Sequence, residues 1–81
     1  MNIQLINGQF TTQESIDLIT ELVQVKIKFL EKKISKTHNE EDIKNKETKI
    51  VTLQNNLSRL RQQIALFKTD VTISSIIEIN V

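Results

Sequence analysis

Between Ile16 and Ile34 the apolar residues lie on two helical stripes, and this double pattern limits the possible folds more than any other feature of the chain. Ile16, Ile19, Val23, Ile27, Leu30 and Ile34 form one stripe, and Leu18, Leu22, Val25 and Phe29 form the other. At about 100° per residue the two stripe centres lie roughly 130° apart. A single neighbouring helix covers one stripe only, so this helix needs two partners. A lone Gly and no Pro in 81 residues agree with long helices, because the chain avoids both strong helix breakers.

The start of this helix is marked by Thr11 and Glu14, which have capping-box spacing, and the periodicity predicts a helix over 12–36. The next apolar residue after Ile34 is Ile43, which one continuous helix would place about 180° from the stripe. Between them lies Ser35-Lys36-Thr37-His38-Asn39-Glu40, rich in poor helix formers. Thr37 and Glu40 offer a second capping box, and Asn39 is an alternative N-cap. A turn at 36–39 is therefore expected, although one long helix to Lys68 competes with it, since no Gly or Pro enforces a stop. A second helix over 39–68 carries a heptad seam, with Ile43, Ile50, Leu57 and Ile64 at one position and Leu53, Leu60 and Phe67 at the other. Lys46 alone interrupts the seam. Its acidic first turn (Glu40, Glu41, Asp42) and Lys68 in its last suit the helix dipole.

The two ends have a different texture. Residues 2–6 alternate imperfectly and run into Asn7-Gly8, which predicts a short strand and a turn. The β-branched run from Val71 predicts a second strand over 71–80, with Val71, Ile73, Ile77 and Ile79 on one face. A hairpin returns both ends of the chain to one place, so the two strands are natural partners. The expected fold is mainly α: residues 1–81 as a single domain, an antiparallel two-helix hairpin of coiled-coil type with short N- and C-terminal strands.

A chain this small sits near the lower limit for a self-sufficient core and commonly needs a disulfide, a metal or a partner subunit. There is no Cys and only one His, His38, which leaves the partner subunit. The hairpin core is assigned to Ile16, Ile19, Val23, Ile27, Leu30, Ile34, Ile43, Ile50, Leu53, Leu57, Leu60, Ile64 and Phe67. The candidate oligomer interface is Leu18, Leu22, Val25 and Phe29 together with Val71, Ile73, Ile77 and Ile79. A homo-oligomer is expected, a dimer forming a four-helix bundle being favoured. A monomer whose terminal strands cover the second stripe, a tetramer, and an unidentified protein partner stay open as alternatives.

Chemistry finds little support. Eleven Lys and Arg against ten Asp and Glu give a net charge of +1, too weak a field to draw the chain to nucleic acid or anionic lipid. Glu40, Glu41, Asp42 and Glu47 lack the order and the Gly of a calcium loop, and an acidic first turn explains them without a metal. Arg59, Arg61, Lys44, Lys46 and Lys49 alternate with acids and lack interleaved aromatics, so a solvated face is the simpler reading. His38, alone in a polar turn, is read as solvated. Small all-helical enzymes such as the chorismate mutases use several Arg and Lys between helices, a pattern that two neighbouring Arg do not meet. No nucleophile, base and orienting group come together, so no enzyme and no cofactor are expected. The opening MNIQLINGQF carries no basic region followed by an apolar one, and no 18 apolar residues run together, so no membrane association and a cytoplasmic location are expected.

The run Asn39-Glu40-Glu41-Asp42-Ile43-Lys44, continuing through Lys46-Glu47 to Lys49-Ile50 and Leu53-Gln54, resembles small helical-hairpin proteins of Bacteroidetes-type bacteria, as does Gln4-Leu5-Ile6-Asn7-Gly8 ahead of a Lys-Ile-Lys-Phe helix. The resemblance spans about the first two thirds of the chain and implies no activity. The expected function is that of a small interaction, scaffold or accessory protein acting through helix-mediated self-association. The alternative is an antitoxin-like dimer that places paired strands in a nucleic-acid groove, which the near-neutral charge opposes.

Overall fold

A computed structural model describes residues 1–81 as β1 (Asn2–Phe10), α1 (Thr12–Lys36), α2 (Glu40–Ile64) and β2 (Val71–Glu78). The two helices pack on one another as a hairpin and the terminal strands pair antiparallel. The long-helix alternative is set aside by a three-residue break at 37–39.

Local chemistry explains each helix end. Thr11 Oγ1 accepts from the Glu14 amide at 3.1 Å and Glu14 Oε1 accepts from the Thr11 amide at 2.9 Å, the reciprocal pair expected from the spacing. The Ser15 side chain, wholly buried, donates to the Thr11 carbonyl at 2.8 Å, which leaves no orphaned hydroxyl beneath the sheet end of α1. At the break, Thr37 adopts an extended backbone and its amide returns to the Ile34 carbonyl at 3.3 Å. Of the two caps offered by the sequence, the structure uses Asn39, whose side-chain oxygen accepts from the Glu41 and Asp42 amides at 2.9 and 3.3 Å. Thr37 and Glu40 do not form a second capping box, because the Thr37 hydroxyl is taken by the Asn39 amide instead.

Four boundaries differ from the sequence reading. The second helix starts at Glu40 and stops at Ile64, short of the expected 39–68. Beyond it the Leu66 and Phe67 amides bond back to Gln63 and Ile64 at 3.1 and 3.0 Å, a tightening to three-residue spacing that swings Phe67 off the heptad seam. The first strand runs to Phe10 rather than ending at residue 6. Asn7-Gly8 makes no turn: Asn7 pairs with Ser74 and Gly8 with Ile73, and no residue has positive φ. A partner strand satisfies the backbone there, which outweighs the local turn preference. The second strand ends at Glu78 instead of 80, although Met1 and Ile79 still exchange bonds across the ladder at 2.8 and 3.1 Å.

The sheet register contains a bulge at Leu5, which has no partner of its own. From Phe10 back to Ile6, the pairs Phe10–Val71, Gly8–Ile73 and Ile6–Ser75 share the covered face, and Gln9, Asn7, Thr72 and Ser74 point to water. Continued without the extra residue, this register would set Gln4 against Ile77 and Ile3 against Glu78. With it, Ile3 meets Ile77 and Asn2 meets Glu78, like against like, while Gln4 is set against Ile76.

The hairpin seam brings the inner stripe of α1 against α2, with Leu30 and Ile64 buried and the other aliphatic members half-buried. One side-chain link joins the helices: Arg61 donates through Nη2 and Nε to Thr20 Oγ1 at 3.0 and 3.3 Å, while that hydroxyl donates to the Ile16 carbonyl. Burial is otherwise thin. Only Ile6, Leu30 and Ile64 form a fully buried apolar core, so each should carry a large share of stability. Ile64→Ala and Leu30→Ala are each expected to cost about 2–4 kcal/mol in urea unfolding, and Val51→Ala, on the exposed side of α2, less than about 0.5 kcal/mol. Gly8→Ala should gain about 0.5 kcal/mol, since its φ suits any residue and the added methyl would sit 3.9 Å from the Phe10 ring.

Candidate interaction surface

The outer stripe of α1 has no covering element. Leu18 is half-buried, but Leu22, Val25 and Phe29 are 37, 67 and 52% exposed. Helical spacing places all four on one side, and α2 occupies the other. The Phe29 ring lies between the ammonium groups of Lys26 and Lys33, at 5.8 and 5.2 Å from its centroid. Residues three before and four after Phe29 reach the same ring because they neighbour it on the helix surface. The two cations cover the ring only in part.

The terminal strands divide the remaining candidates. Val71 and Ile73 are half-buried against their own chain, being paired with Phe10 and Gly8, whereas Ile77 and Ile79 stay exposed beyond the bulge. Of the residues assigned to the hairpin core, Phe67 is the one that leaves it, 51% exposed in the turn after α2. Ile16, Ile19, Val23, Ile27 and Ile34 of α1 and Ile43, Ile50, Leu53, Leu57 and Leu60 of α2 line the seam half-buried. Lys46, which interrupts the seam, is half-buried as well. Leu66 and Val51, isolated apolar residues off the seam of the second helix, are exposed, and so are three side chains that the sequence reading did not single out: Ile3, Leu5 and Ile76. Ile76 faces outward with Thr72 and Ser74, as alternation from Val71 requires, and the observed register sets it opposite Gln4.

The overall dimensions give this exposure a scale. The molecule measures 47 × 32 × 13 Å with a radius of gyration of 15.3 Å, against about 12 Å for a compact chain of this length. Its accessible surface is 6603 Å², where a compact monomer of 9.4 kDa would expose about 5,000 Å². The excess of roughly 1,600 Å² marks a thin molecule with much of its apolar surface still in water.

The remaining surface holds no grouped chemistry. No cluster of His, Cys, Asp and Glu side chains is placed to hold a metal ion, and His38 lies exposed in the turn between the helices. One shallow groove runs along α2 between Lys44 and Thr52, and another lies between Lys26 and Leu53. Both are open. No helix is long and apolar enough to cross a membrane. No protein-family model, curated protein or solved structure matches the chain.

Proposed function

We propose that this chain is a small cytoplasmic interaction or scaffold protein that acts as a homodimer, using the outer stripe of α1 and the open end of the sheet to bury a second copy. The observation that carries this reading is the exposed row Leu22, Val25 and Phe29 on a helix whose other stripe is already covered by α2. Two hairpins brought together through that row form a four-helix bundle, the usual way in which helical hairpins complete a core. The role is structural: apolar burial drives association, and no side-chain constellation for catalysis takes part.

Specificity follows from the same surface. A stable protein interface takes about 800 Å² from each partner, and the surplus surface of one chain is about twice that. The surplus is thus large enough to supply an interface of ordinary size. Leu22→Glu combined with Phe29→Lys should weaken association by about a hundredfold or more, because each places an unpaired charge in a desolvated contact. Sedimentation equilibrium at micromolar concentration reads the change. Circular dichroism should show the helices retained, since neither residue is in the hairpin seam. A double variant that associates as tightly as the native chain contradicts the assignment.

A further inference from the structure

The charges of α1 are divided along its length. On one flank of the exposed stripe stand Glu14, Asp17 and Glu21 in the first half of the helix and Lys28 and Lys32 in the second. At 100° per residue these five fall within roughly 60° of one another, at the edge of the stripe turned away from the α2 seam. All five are exposed. Glu14 Oε1 accepts from the Thr11 amide.

Resting on the self-association argued above, we propose that a second copy of this chain docks with its α1 antiparallel to the first, about a two-fold axis level with Val23 and Gln24. Leu18 then meets the partner subunit's Phe29, and Leu22 meets the partner subunit's Val25, so the longest side chain of each stripe lies over the half-buried end of the other. A two-fold perpendicular to both helices brings like flanks together. Glu21 falls beside the partner subunit's Lys28 and Glu14 beside the partner subunit's Lys32, each within about 3 Å along the helix axis, and symmetry doubles both pairs. In the parallel alternative a two-fold along the helices sets this flank against the opposite one, which carries Lys26 and Lys33: Lys28 and Lys32 then lie level with the partner subunit's Lys26 and the partner subunit's Lys33, which like-charge repulsion disfavours, and Glu14, Asp17 and Glu21 meet no cation. The antiparallel arrangement also sets opposite ends of the two helix dipoles together. Apolar burial supplies the attraction and the charge division sets the direction.

The absence of Cys makes the test simple, because one introduced thiol gives one labelling position. Gln13→Cys and Gln24→Cys lie on the same exposed side of α1, away from the stripe. With nitroxide labels, the antiparallel dimer sets the two Gln24 sites level and the two Gln13 sites about 31 Å apart along the axis. Pulsed dipolar spectroscopy should therefore give a distance for position 13 longer by at least about 10 Å than for position 24. Equal distances, or a shorter one at position 13, overturn the antiparallel arrangement while leaving self-association standing. The absence of any dipolar contact between chains, with a monomer mass, overturns self-association itself. A charge swap reads direction independently. Glu21→Lys with Lys28→Glu in one chain should self-associate within about threefold of the native chain, yet mix with it about tenfold less readily. Free mixing of the two would contradict the proposal.

Discussion

A helix with apolar residues on two faces about 130° apart has to be covered from two directions, and a hairpin supplies only one. The arrangement of this molecule follows from that constraint. α2 carries a single seam and, Val51 apart, is polar elsewhere, so it covers the inner stripe of α1 and leaves the outer one in water. The terminal strands pair with each other instead of lying along α1. They bury Ile6 and half-bury Val71 and Ile73 but leave Leu22, Val25 and Phe29 open. The result is a thin molecule with three fully buried apolar residues and far more surface than its mass requires.

Thin burial bears on stability as well as recognition. A small domain gains most of its folding free energy from apolar area removed from water, and here much of that area is still exposed in the single chain. Within the proposed dimer, folding and association would draw on the same side chains, so the stability of the fold would depend on protomer concentration. The exposed Phe29 ring between two lysines fits a surface that tolerates water while alone. A cation over an exposed aromatic ring is worth only about 0.5–1 kcal/mol and is readily given up to a better-packed neighbour.

Helix existence, phase and caps were legible because they rest on local patterns. The two stripes, the capping box at Thr11 and Glu14, and α1 from 12 to 36 agree with the structure to the residue. What escaped the sequence depends on partners far along the chain. Asn7-Gly8 reads as a turn in isolation and becomes strand only because Ser74 and Ile73 arrive beside it. The bulge at Leu5 has no local signature, since its effect is to align Ile3 with Ile77 some seventy residues later. Phe67 keeps heptad spacing in the sequence, but the chain tightens after Ile64 and carries it away. The break at 37–39 was legible as a loss of stripe phase, and the choice of Asn39 over Thr37 as the cap was settled by which amides each oxygen reaches.

The most direct measurement is the mass of the native chain in solution, by sedimentation equilibrium from nanomolar to high micromolar concentration. Coverage of the outer stripe by a second copy predicts a reversible transition from 9.4 kDa to twice that mass, with helical content rising or holding as the dimer forms. A well-folded chain that stays at 9.4 kDa throughout would contradict it.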